Sequence, residues 1–214
     1  MKHISINPSS RLIKTYTRIN FTNPHVISRY NLQGGLVTIE SRLKVKIRRN
    51  AKVSTHPFTD YFKGFEKVKA IRQIFGERTE EVLRNLKVEF SGRRGYMGVS
   101  DVDGHLIISA YYLNNGDITD IYLDVIHELV HVRQFMEGKE LFDNRYDYID
   151  RPTEIEAYSH AVEEARNLGL SDERICEYLK TEWMNDEELK RLAKTLNVEY
   201  AYVKEKKEDR RRRL

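Results

Sequence analysis

Cysteine is almost absent from this chain: Cys176 stands alone among 214 residues. No internal disulfide and no cysteine-built metal cluster can form from it, and its simplest reading is a small buried hydrophobe. Glutamine is scarce too, at Gln33, Gln73 and Gln134, while Lys, Arg and Glu abound, a composition of the kind found on thermophile surfaces. No run approaches the ~18 apolar residues that a membrane helix needs. The opening Met1-Lys2-His3-Ile4-Ser5-Ile6 lacks the apolar core of a secretion signal, so the expected location is cytoplasmic. One-sided charge is missing as well. Lys+Arg number 37 and Asp+Glu 33, leaving +4, an excess too small to argue for nucleic acid by itself. With 40% hydrophobic and 33% charged residues, the chain has the composition of a soluble globular protein long enough to bury a sizeable core.

What is present divides the chain into four stretches. Residues 1–56 read as β-rich, with strands over 25–30 and 36–48 flanking a turn at Gln33-Gly34-Gly35. The second strand alternates: Leu43, Val45 and Ile47 share one face, and Arg42, Lys44, Lys46 and Arg48 the other. Such a strand is half-buried with a solvated face; the sharper reading is a basic strip that, with Arg210, Arg211, Arg212 and Arg213, makes weak contact with nucleic acid. Ser54-Thr55-His56-Pro57 reads as a junction. Residues 57–170 carry the chemistry: a helix over 60–75 capped by Thr59 and stopped by Gly76, a short helix over 80–86, and a strand over 87–90. A hairpin follows, with strands over 96–102 and 105–111 around Asp103-Gly104. Next comes a long helix from Asp117 to Glu137, opened by an Asp117/Asp120 capping box and closed by Gly138. Another helix covers 154–168. Residues 171–203 form a helical extension over 172–180 and 186–196, anchored by Tyr178, Leu179 and Trp183, and 204–214 is a charged, disordered tail. The fold class is α+β.

The long helix carries His127-Glu128-Leu129-Val130-His131. Histidines four apart stack on one helix face, where two imidazoles reach one zinc ion at about 2.0–2.1 Å. Glu128 is turned about 100° away, wrong for a ligand on that axis but within reach of a metal-held water, from which it takes a proton as general base. A catalytic zinc needs a third protein ligand, and Glu154 and Glu156 lie on the next helix. Glu154 shares a face with Ala157, Tyr158, Ala161, Ala165 and Leu168, an alanine stripe that lets two helices approach closely. Glu156 points away and stands three residues after Thr153, as in a capping box. Glu154 is therefore the expected ligand and Glu156 the cap.

His127-Glu128-x-x-His131 followed by Glu154-x-x-Ala157 resembles the gluzincin class of metallopeptidases, and the compact layout is similar to minigluzincin, SprT-like and ImmA/IrrE-like proteases. The resemblance covers roughly residues 87–169. It implies a small zincin-like catalytic domain: an antiparallel hairpin or sheet, the metal helix and a Glu-bearing helix, holding one Zn2+ and hydrolysing a peptide or protein substrate. It also implies that an edge strand, 95–99 or 105–109, binds substrate by β-augmentation. Where the family often has an Asp to orient a histidine, this chain has Tyr158, whose phenol can make that bond. The oxyanion donor has several candidates, Tyr146, Tyr148, Tyr158 and His160, with His160 more simply a surface residue. The alternatives are a nucleic-acid-associated SprT-like protein acting on DNA-bound proteins, and a catalytically inactive structural zinc protein.

Overall fold

A computed structural model describes residues 42–93, 95 and 97–200. The expected turn at Gln33-Gly34-Gly35, the strand over 25–30 and the tail 204–214 lie outside them. Within them the chain is α+β. Leu43, Val45 and Ile47 are half-buried and pack on the core, whereas Arg42, Lys44, Lys46 and Arg48 are exposed, the alternation that the sequence predicts. Its ladder is shorter than expected. Of residues 42–48, only β1 (Lys46–Ile47) forms a strand ladder, antiparallel to β3 (Phe62–Lys63).

That pairing breaks the helix expected over 60–75. The chain instead makes β2 (Ser54–Pro57), a single turn α1 (Phe58–Tyr61), β3, a 3-10 turn (Phe65–Lys67) and only then α2 (Lys69–Phe75), which ends at Gly76 as expected. Phe58 and Phe62 stack at 4.7 Å, with Phe65 edge-on to both at 5.7 Å. Burying three rings together outweighs a weak helical propensity. Gly64 makes the break possible: its φ is +88°, and a Cβ there would sit 2.9 Å from the Lys44 carbonyl of the neighbouring strand segment.

The stretch expected to be a junction, Ser54–Pro57, is the edge strand β2 of the main sheet. The order there is β2, β4 (Lys87–Ser91), β6 (Leu106–Ser109), β5 (Met97–Val99). β2 runs antiparallel to β4, β4 parallel to β6, and β5 antiparallel to β6. Pro57, lacking an N–H, is tolerated at the end of an edge strand. Residues on both sides of the expected 56/57 boundary thus share one sheet. α3 (Thr79–Asn85) precedes β4. The β5–β6 connection is wider than a two-residue turn, with Ser100 N–H donating to the His105 carbonyl and Gly104 N–H to Ser100. β6 stops at Ser109 because its side chain accepts from the Tyr112 N–H at 3.2 Å and starts α4 (Ala110–Asn115).

α5 (Ile118–Met136) is the central element, packed against β5, α2 and α6 (Pro152–Asn167). Asp117 caps it, accepting from Thr119 N–H at 2.9 Å and Asp120 N–H at 3.0 Å. The capping box is only half formed: Asp120 is buried and pairs instead with Arg174 of α7 (Asp172–Leu179). α8 (Asp186–Thr195) closes the described fold. Tyr178 and Leu179 are fully buried, and so is Cys176. Trp183, expected to anchor the core, is 43% exposed and lies edge-on to the rim ring of Tyr148 at 4.8 Å. Among the described residues no helix is long and apolar enough to cross a membrane.

Candidate metal centre

His127 and His131 stand one turn apart on α5, both buried, with ring centroids 4.7 Å apart. Across the helix interface, α6 presents the expected alanine face: Ala157, Ala161 and Ala165 are fully buried and Tyr158 is 2% exposed. With methyl groups at the contact, the two backbones come close enough for a first-turn residue of α6 to reach the histidines. That residue is Glu154. Pro152 at the first helical position loses no hydrogen bond by lacking an N–H, and it sets Glu154 two residues on, where the unpaired backbone N–H groups of the helix start favour a carboxylate.

The three ligand atoms face one another. His127 Nε2 and His131 Nε2 are 3.0 Å apart, and Glu154 Oε2 lies 3.4 Å from the first and 3.5 Å from the second. Ligand atoms about 2.0–2.1 Å from one tetrahedral ion stand roughly 3.3–3.4 Å apart, so this triangle is close to one face of such a site. The donor chemistry fits a cation as well. Neither Glu154 oxygen is satisfied by a hydrogen bond, and a buried carboxylate left so is costly unless a positive charge neutralises it. In the metal-free protein that charge is a proton. Burial works against charging His131, yet the Glu154 carboxylate outweighs it and pushes the imidazole up to about 9. Burial likewise opposes ionisation of Glu154, and the two histidines hold it well below the usual carboxylate range. His127, His131 and Glu154 together can hold a metal ion.

Glu128 is fully buried on the same helix, next to His127. The ring of Tyr158 lies edge-on to His127 at 4.4 Å, but His127 Nδ1 has no hydrogen-bond partner. The orienting hydrogen bond expected of this phenol is therefore not made. Tyr158 braces the ring by packing, and its hydroxyl meets that of Tyr148 at 3.2 Å. Tyr148, on the 3-10 turn Tyr148–Asp150, is half-buried. Burial first, and then the Glu154 charge, push its phenol well above its ordinary value, so it remains an O–H donor through the neutral range. Tyr146 is exposed, and His160 is half-buried, outside the metal group.

Glu156 is not a cap. α6 is entered through Arg151, with no side-chain cap, because Pro152 moves the helix start ahead of Thr153. Glu156 instead accepts from Gln134 Nε2 at 2.7 Å, Arg133 at 2.6 Å and Lys139 at 3.3 Å. Gln134 is the residue that the sequence reading missed. It is fully buried, and its Oε1 stands 2.7 Å from His131 Nδ1. A signal existed: a rare glutamine three residues after His131, on the ligand's own helix face.

Of the two strands expected to take substrate, β6 is paired on both sides and cannot be augmented, whereas β5, among the described residues, is a sheet edge and lies buried against α5. On the basic face, Arg42 donates to the Leu168 carbonyl at 2.9 Å, and Arg48 sits over the Tyr61 ring at 5.0 Å, so two of its four cations have work within the fold. Comparison with protein-family models, with curated proteins and with solved structures gave no match.

Proposed function

We propose that the chain is a zinc-dependent peptidase of the gluzincin type, with His127, His131 and Glu154 as ligands and Glu128 as general base. The observation that carries this reading is the triangle of ligand atoms at 3.0, 3.4 and 3.5 Å, built from two histidines that bracket a buried glutamate. When bound, zinc supplies Lewis acidity toward a carbonyl and lowers the pKa of a water toward ~7. Glu128 takes the proton of the attacking water and hands it to the departing amine. The Tyr148 hydroxyl donates to the oxygen that gains charge. The edge of β5 aligns an extended peptide beside α5 by main-chain hydrogen bonds.

The test is Glu128→Gln assayed on a quenched-fluorescent peptide library. The expected result is one equivalent of zinc retained, with turnover down by roughly 10²–10⁴. Cleavage by the variant at the parent rate would remove Glu128 from the mechanism. The depth of the site favours a second reading, a closed structural metal, since His127, Glu128, His131 and Glu154 are all at most 2% exposed and structural zinc leaves no open position. On that reading the zinc-loaded parent cleaves nothing, and chelation unfolds it instead of merely stopping turnover.

A further inference from the structure

The polarity of the hydrogen bonds around Gln134 runs in one direction only. Its Nε2 lies 3.0 Å from the Thr153 carbonyl and 2.7 Å from Glu156 Oε2. A backbone carbonyl can only accept, and an ionised carboxylate can only accept. Arg133 and Lys139 sit on that carboxylate at 2.6 and 3.3 Å, which keeps it ionised. Both amide hydrogens of Gln134 are therefore spoken for. Turned over, the amide would set its oxygen against two acceptors, so it has one orientation. Its Oε1 is then bound to accept, and the group 2.7 Å away, His131 Nδ1, is bound to donate. A neutral imidazole, the form that ligates a metal, keeps its lone pair on Nε2 when it donates from Nδ1, and Nε2 is the atom facing His127 Nε2 at 3.0 Å and Glu154 Oε2 at 3.5 Å.

We propose that Glu156 and Gln134 form a one-way hydrogen-bond relay that locks His131 in its Nδ1–H tautomer and so sets how tightly the site holds its metal. The proposal rests on the metal reading above and assigns Gln134 and Glu156 as positioning residues, which touch no substrate. Two features set the relay apart from ordinary helix packing. First, it serves one ligand only: His127 Nδ1 has no hydrogen-bond partner and is braced by the Tyr158 ring instead. Second, the same amide grips the ring of one ligand and the carbonyl of Thr153, next in the chain to another ligand, Glu154. Glu156, about a third exposed (34%), brings the relay from the metal group to the surface of the protein.

The experiment is a zinc competition titration on the full chain, comparing Gln134→Leu, Glu156→Ala and the double variant, with circular dichroism to check folding. Gln134→Leu keeps bulk but removes the acceptor, and zinc affinity should fall by roughly 10–100-fold. Glu156→Ala should fall by less, because the Thr153 carbonyl still holds one amide hydrogen. Since Glu156 acts on the metal only through Gln134, the double variant should bind zinc no more weakly than Gln134→Leu alone. Simple packing losses would add. Long-range nitrogen–proton NMR correlations on the zinc-loaded parent should show His131 protonated at Nδ1. Should Gln134→Leu fail to fold, the tautomer of the parent and the partial loss in Glu156→Ala carry the test. Additive losses, variants that bind like the parent, or an Nε2–H tautomer would each overturn the relay. A parent that binds no zinc overturns the metal reading itself, and the relay falls with it.

Discussion

Tyr148 shows how much of this site depends on where one hydroxyl points. Its ring belongs to the rim, edge-on to Trp183 at 4.8 Å and with the Arg151 guanidinium 5.8 Å from its centroid. The phenol oxygen belongs to the interior, 3.2 Å from that of Tyr158, and it feels the charge of Glu154. A ring held from two sides has little freedom, and a donor fixed before reaction costs no reorganisation when charge develops. Tyr158 is the contrasting case, because its hydroxyl is turned toward Tyr148 and its work on His127 is steric. Tyr148→Phe should therefore lower kcat by about 10²-fold, within the range for loss of one oxyanion donor, with little change in zinc stoichiometry. Tyr158→Phe keeps the ring that braces His127 and should cost far less. Steady-state kinetics with metal analysis on both variants decides it, and equal losses would count against Tyr148 as the donor.

At the scale of elements, the parts legible in the sequence are those whose signal is local. α5 could be read from Asp117 to Gly138 because its cap and its stop are both residue-specific, and the Glu154 face of α6 because alanines at helical spacing mark a close helix–helix contact. The break at Gly64 was not legible. It is decided by β1 pairing with β3 and by three phenylalanines finding each other, contacts that no local pattern encodes. The Thr153-x-x-Glu156 box misled for a related reason: the pattern was sound, but Pro152 started the helix early and Gln134, from another helix, took the carboxylate. The choice of Glu154 over Glu156 stands on the face argument alone. That face makes its own prediction. Ala161→Leu would push a branched side chain into the α5–α6 contact, where Ala161 is fully buried. It should destabilise the protein by about 1–3 kcal/mol and weaken zinc binding by moving Glu154 off the triangle. Thermal melts paired with zinc titration test this, and an unchanged Tm with unchanged affinity would mean the helices are not in register there.

For the molecule as a whole, the α5–α6 seam concentrates groups whose protonation the fold shifts in both directions, and this fixes how the protein should respond to acid. His160 is held below its ordinary 6.5 by burial and by the Arg133 guanidinium, with Glu156 and Glu163 pulling weakly the other way. A lowered histidine means that the fold binds fewer protons than the unfolded chain. Its contribution is whole above pH 6.5 and is lost as pH falls through the folded value. Glu156 follows the same sign in a lower window. Burial alone would raise it, but the hydrogen bond from Gln134 and the Arg133 contact win and bring it to about 2. Its contribution is full above 4.5 and drains away as pH falls toward 2. In the metal-free protein His131 works against His160 in the upper window: its imidazole is pushed up to about 9, so its contribution is full below the unfolded 6.5 and is lost as pH rises toward 9. Urea midpoints of that protein should hold level or rise from about pH 7 to about pH 5, where His131 and His160 oppose each other, and fall toward about pH 3 as Glu156 and Glu154 lose their contribution. His160→Gln should make the midpoint rise more steeply between about pH 7 and about pH 5 and leave the acid fall intact, and Glu156→Gln should make the acid fall shallower and leave the upper range unchanged. A midpoint that is flat down to about pH 3, or one that falls equally in both variants, would mean that the acid response of the fold is set elsewhere than along this seam.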